Sequence, residues 1–99
     1  MEKKALYYAD YLHLDKVLDA QYPVSFTDGH EKAHDEMLFI VIHQAYELWF
    51  KQMLHEIAEL QKTLEAGKSH RSLAILGRVR TIMKTCVSQL DILETMTPL

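Results

Sequence analysis

From His30 to Ala66 the sequence contains neither glycine nor proline. In a chain of 99 residues, so long a stretch without a turn signal points to one long helix. Within it Leu38, Ile42, Ala45, Trp49, Gln52 or Met53, Glu56 or Ile57, Leu60 and Leu64 recur at intervals of three and four, the spacing of one helix face. The short run "LFIVI" taken alone also suits a buried strand, but helix formers flank it on both sides. The pattern predicts a helix from about Asp35 to Leu64, with Asp35 and Glu36 at its positive N-terminal end.

Shorter helices flank it. Gly67 reads as a stop and Ser69 as an N-cap. A third helix then follows from about His70 to Thr95, ended by Pro98, with Leu76, Val79, Met83, Cys86, Leu90 and Leu93 as its packing seam. Upstream, a short helix is predicted from about Asp10 to Ala20, with Leu12, Leu14, Val17 and Leu18 on a crowded apolar side. Between them "QYPVSFTDGHEKAH" reads as a long loop, because Pro23 disfavours helix at Tyr22 and Asp28-Gly29 is a turn pair. The expected fold is all-α, a single unit over residues 1–99, with a short N-terminal helix followed by a long antiparallel helical hairpin. From Met37 to Phe50 the second helix is apolar on nearly every side. A helix of that kind is normally surrounded, and two others from this chain could hardly cover it.

Composition narrows the partners. Eleven basic against 14 acidic residues give a net charge of −3. Lys62, Lys68, His70, Arg71, Arg78, Arg80 and Lys84 gather in one region, but without a nucleic-acid-binding motif they read as a solvated helix face. Cys86 is the only cysteine, which excludes an intrachain disulfide and a cysteine-rich metal site and fits a reducing compartment. No stretch has signal-peptide or membrane-spanning character, so the expected location is cytoplasmic, with no membrane and no nucleic acid as partner.

Six histidines carry most of the potential chemistry. Glu31-x-x-His34, with His30 one turn before His34, has the spacing found in carboxylate-bridged di-iron bundles. The second copy is missing, because Gln52 stands where a glutamate would precede His55. His55-Glu56 lacks the second histidine of a zinc protease helix. No metal site is assigned on these grounds. His43 lies one turn from Phe39 and one turn from Glu47. An imidazole beside an aromatic ring in an apolar helix can hold a planar heteroaromatic ligand through one polar contact. It can equally be a core histidine satisfied by a carbonyl or by Glu47, and spacing alone favours that plainer reading. Tyr7, Tyr8 and Tyr11 concentrate rings and hydroxyls before the first helix, where ordinary packing or surface roles are again the plainer reading. Trp49-Phe50 and the methionines read as core.

Three blocks, "YADYLHLDKVLDAQYPVS", "HDEMLFIVIHQAYELWFKQMLHE" and "LETMTP", occur in the order and roughly at the spacing of the tryptophan 2,3-dioxygenase family. From about Tyr8 to Leu99 the chain resembles the N-terminal part of that family. The resemblance implies an all-helical, tetrameric fold dependent on haem b. It also implies insertion of both atoms of dioxygen across the indole C2–C3 bond of L-tryptophan, giving N-formylkynurenine in the kynurenine pathway. By the same resemblance His43 is the catalytic-side histidine that accepts the indole N–H. Phe39, Ile40, Val41 and Ile42 form with it the substrate-binding stretch, and Tyr8, Tyr11 and Leu12 close the pocket of a neighbouring subunit. A histidine ending an apolar run is what an indole needs, since its one polar hydrogen would otherwise be stranded at a loss of about 1–3 kcal/mol. His43 would orient the ring more than deprotonate it. The family's haem-ligating histidine and carboxylate-binding arginine fall downstream of "LETMTP". The expectation is therefore a fragment that alone neither binds haem in the family's manner nor turns over tryptophan. Two other functions remain compatible with the residues. One is a non-catalytic helical module that oligomerises through exposed seams; the other is a metal-binding hairpin using His30 and His34.

Overall fold

The computed structural model describes residues 7–25 and 31–96, with side chains beginning at His34 in the second stretch. The elements are α1 (Tyr8–Tyr11), α2 (Leu14–Val17), α3 (Glu31–Glu65), α4 (Ser69–Ser88) and α5 (Leu90–Leu93). The described residues form helices and turns with no strand, so the all-α expectation holds.

The long helix is longer than expected. α3 starts at Glu31, so the end of the predicted "QYPVSFTDGHEKAH" loop is already helical; Phe26 to His30 lie outside the described residues. At about 1.5 Å per residue its 35 residues reach roughly 52 Å. It stops as the glycine predicts. Gly67 adopts φ 70°, Lys68 N–H donates to Thr63 O at 2.9 Å and Gly67 N–H donates to Leu64 O at 3.1 Å. This pair of bonds is the Schellman ending that a residue with positive φ makes possible. Ser69 does not act as the cap of the next helix. Lys68 holds that position, without a side-chain cap bond, and Ser69 is the first helical residue.

α3 and α4 form the hairpin, and three contacts give its register. Thr63 Oγ1 lies 2.8 Å from Ser72 Oγ, Arg78 Nη1 is 3.2 Å from Glu56 Oε2, and Tyr46 Oη donates to Cys86 O at 2.9 Å. Positions descend along α3 as they ascend along α4, so the two helices run antiparallel. The apolar core between them is small: Ile42, Ile75 and Ile82.

This register corrects the predicted seams. On α4 the buried positions are Ser72, Ile75 and Ile82, with Val79 and Cys86 half-buried, whereas Leu76, Met83 and Leu90 are exposed. On α3, of the predicted alternatives Glu56 is buried and Ile57 faces out, and Thr63 is buried in place of the expected Leu64. The physical reason is polar. Thr63 and Ser72 share a hydroxyl bond beside the turn, and Glu56 takes Arg78, so the inner seam follows these partners and not the largest apolar side chains.

The flanking helices are also more broken than expected. The predicted Asp10–Ala20 helix is two single turns, interrupted at His13, a non-glycine residue with φ 54°. Of the expected apolar side only Leu14 is half-buried; Leu12, Val17 and Leu18 are exposed among the described residues. The predicted His70–Thr95 helix ends at Ser88, turns at Gln89 and resumes only as α5. Gln89 Oε1 is buried there without a partner among the described residues. Pro98 lies outside them. No described helix is long and apolar enough to cross a membrane.

The molecule measures 57 × 42 × 16 Å, with a radius of gyration of 18.7 Å, against about 13 Å for a compact domain of this length. It is a slab one helix thick.

Candidate functional site

Helical geometry brings Phe39 and His43 to one side of α3, one turn apart. Their ring centroids are 4.2 Å apart with the planes tilted by 34°. His43 Nδ1 lies 2.7 Å from Phe39 O. A carbonyl oxygen can only accept, so that contact places the ring proton on Nδ1. In that tautomer the lone pair is on Nε2. His43 is exposed. Of the two readings left open by spacing, the carbonyl contact of the plainer one is present, but the residue is not in the core. Stacked on Phe39 and tied by Nδ1, the ring has a fixed direction and a free acceptor.

Beside it runs a groove of about 480 Å³ lined by Val17, Ala20, His43, Gln44, Glu47, Leu48 and Lys51. That volume lies within the range of small-molecule sites. Its far wall, Val17 and Ala20, comes from α2 and the segment after it. Two side chains of α3 hold that segment: Gln44 Nε2 donates to Ala20 O at 2.7 Å, and the Glu36 carboxylate accepts from Val24 and Ser25 N–H at 2.8 and 2.7 Å.

The rest of the predicted stretch is divided among directions, since successive helical residues are about 100° apart. Ile42 is 4% exposed, in the hairpin core. Ile40 is half-buried. Val41 is exposed, on the broad face opposite His43. Tyr8, Tyr11 and Leu12 are exposed and line neither the groove nor the contact with Phe39, so this chain does not bring them to its own His43. Sequence reasoning missed Gln44 and Glu36 as site residues. The available signal was a polar residue, Gln44, set inside an apolar run.

A second polar cluster sits farther along the hairpin. Glu56, 4% exposed, accepts from Gln52 Nε2 at 2.6 Å and from Arg78. Loss of water pushes its carboxyl up, but the hydrogen bonds from Arg78 and Gln52 and the charges of Arg78 and His55 outweigh that. The net shift is downward from the ordinary 4.5. The cavity beside it, about 270 Å³, adds His55, Glu59, Lys62 and Arg71. Among the described residues no three His, Cys, Asp or Glu side chains gather as metal ligands. The Glu31–His34 pair cannot be followed, because His30 and the Glu31 side chain lie outside them.

Fold and site together define an all-helical protein whose longest helix presents a ring-stacked, singly tied imidazole beside an apolar groove. The chain belongs to the tryptophan 2,3-dioxygenase family, whose family model matches residues 1–99. It is 56% identical over 94 residues to the tryptophan 2,3-dioxygenase of Anaeromyxobacter sp. (strain K), covering 95% of this chain and 33% of that relative. It is 52% identical to the one from Herpetosiphon aurantiacus, covering 97% and 35%, and 46% identical to the one from Dictyostelium discoideum, covering 96% and 25%. The chain thus spans about a third or less of the length of these curated relatives.

Proposed function

We propose that this chain contributes the substrate side of a haem-dependent tryptophan 2,3-dioxygenase, with L-tryptophan and dioxygen as substrates and N-formylkynurenine as product. The observation that carries the reading is the His43 ring itself. Held by Phe39 O at Nδ1 and against the Phe39 ring, it offers Nε2 as an acceptor at the edge of a groove walled mainly by carbon. An indole has one polar hydrogen and a flat apolar body, and this pairing suits both. Of the predicted stretch, Phe39 supplies the apolar wall beside His43, while Ile42 lies in the hairpin core and Val41 on the opposite face; His43 positions the N–H, and neither step requires a proton to move.

Haem b fits the same surface. Phe50 and Leu54, seven and eleven positions after His43, recur on the side of α3 that bears it and are exposed, offering carbon to a flat macrocycle. When bound, haem supplies the iron that activates dioxygen. The residues that would hold its iron are not among these, and His43 would serve the substrate.

Tyr8, Tyr11 and Leu12 close the pocket of a neighbouring subunit in a homotetramer, and the protein works in the cytoplasm, without nucleic acid or membrane partners. Support for the shared pocket is the exposure of all three side chains and their separation from His43. A non-catalytic oligomerisation module is the rival reading. It draws on the open apolar face of α4 formed by Leu76, Val79, Met83 and Val87.

The test is His43→Ala in the complete haem-loaded enzyme that carries this chain, assayed with tryptophan and with its N1-methyl analogue. Loss of one buried hydrogen bond should cost tryptophan about tenfold in kcat/KM. The analogue, which has no N–H to offer, should change little, and the haem absorption band should persist. Loss of that band would make His43 an iron ligand. Equal effects on both compounds, or none, would remove His43 from the indole site.

A further inference from the structure

Apolar packing contributes little to holding the segment after α2, because Leu18, Tyr22 and Val24 are exposed and only Pro23 among its apolar residues beyond the groove is half-buried. Its hold is polar and comes from two α3 side chains about two turns apart. Gln44 Nε2 donates to Ala20 O at 2.7 Å, and Gln44 Oε1 accepts from Gln21 Nε2 at 2.8 Å. The same Gln21 nitrogen donates to Val17 O at 2.8 Å. Both backbone oxygens can only accept, so each amide has a single workable orientation and both Gln21 hydrogens are engaged. At the other end, one Glu36 oxygen takes Val24 N–H and the other takes Ser25 N–H.

These two clamps bracket the backbone from Ala20 to Ser25, and the first lies at the groove. Gln44 follows His43 in the chain and lines the groove with it, while the backbone groups bound by the glutamine pair belong to Val17 and Ala20, the opposite wall. A tether placed anywhere else would hold the segment without setting the groove's width. Helix geometry fixes His43, so the wall is the part whose distance depends on side-chain hydrogen bonds.

We propose that Gln44 and Glu36 are positioning residues for the substrate. They hold Val17 and Ala20 at the spacing from His43 that the aromatic ligand requires. The inference rests on the tryptophan-dioxygenase reading given above. It predicts effects on binding more than on the chemical step, because neither side chain reaches the reacting atoms.

The experiment uses Gln44→Leu, which keeps bulk and helix propensity, and Glu36→Gln, which keeps size but replaces one acceptor oxygen with a donor. Each variant, made in the complete haem-loaded enzyme that carries this chain, is compared with its parent in amide hydrogen exchange across residues 20–25 and in steady-state turnover of tryptophan. The expected result is faster exchange in that segment, with KM raised about five- to tenfold and kcat changed less than about twofold, the signature of lost uniform binding. Faster exchange with unchanged KM would make the clamps mere tethers and overturn the proposal. Unchanged exchange would overturn it too, by showing that something else holds the wall. A complete haem-loaded enzyme carrying this chain that neither binds nor turns over tryptophan would overturn the functional reading itself, and that failure is visible before any variant is made.

Discussion

Two glycines differ only in what their backbone asks of them. Gly67 ends α3 at φ 70°, and a Cβ built there would meet nothing within 4 Å. The cost of Gly67→Ala is therefore one of backbone conformation alone, about 1 kcal/mol of hairpin stability. Gly77 also has open space around a Cβ, but it lies inside α4, where alanine is the better helix former. Gly77→Ala should stabilise by about 0.5–1 kcal/mol. Thermal melts of the two variants should move in opposite directions, and a shift in the same direction would contradict the αL ending of α3. At this scale the pairing of Phe39 with His43 was legible from spacing, because residues four apart on a helix must meet. The Glu36 and Gln44 clamps were not. Their partners lie more than ten positions away, mostly on the backbone, and although Gln44 stands out as a polar residue in an apolar run, nothing in the sequence says what it binds.

Between elements, the hairpin's register depends on polar partners. Besides the half-buried Val79 and Cys86, α4 carries two interlaced series, one through Ser72, Ile75 and Ile82 and another through Leu76 and Met83 that continues to Leu90 of α5. Apolar content favours the second as a seam, yet the first is buried. The outer series is just as apolar as a core would be, so hydrophobic patterning could not separate them. What selects the inner one is Thr63 meeting Ser72 and Glu56 meeting Arg78, a choice that needs both helices in hand. The long helix, by contrast, could be read from its unbroken run and its stop at Gly67. Glu56 also gives the hairpin a pH dependence. Its folded pKa is lowered from 4.5, so its stabilising effect is fully present above that value and is lost as pH falls through the lowered folded value. Acid titration of the melting temperature from neutral pH to below 4.5 should show a steeper decline in the parent than in Glu56→Gln. Parallel curves would mean that the Arg78 pairing adds nothing to folding.

Across the whole molecule, the dominant fact is its thinness. A slab 16 Å deep has two broad faces, and both are rich in apolar side chains. Phe39, Phe50, Leu54 and Ile57 lie on one side of α3, Met37, Val41 and Leu48 on the other, and Leu76, Met83 and Val87 on α4. Exposed apolar area on this scale marks surfaces that associate. The isolated chain should show a light-scattering mass well above 11.5 kDa at micromolar concentration. Replacing Leu76 and Met83 together by lysine and glutamate should lower that mass while leaving the helical circular dichroism signal in place, since neither side chain is in the hairpin core. A monomeric parent would remove the driving force assigned to the α4 face. The thinness also bears on communication. The groove beside His43 and the opposite broad face share the α3 backbone, with only about 10 Å of helix between them. A partner that clamps the far side and tilts α3 by a few degrees would therefore turn Phe39 and His43 with it, with no intervening layer to absorb the movement.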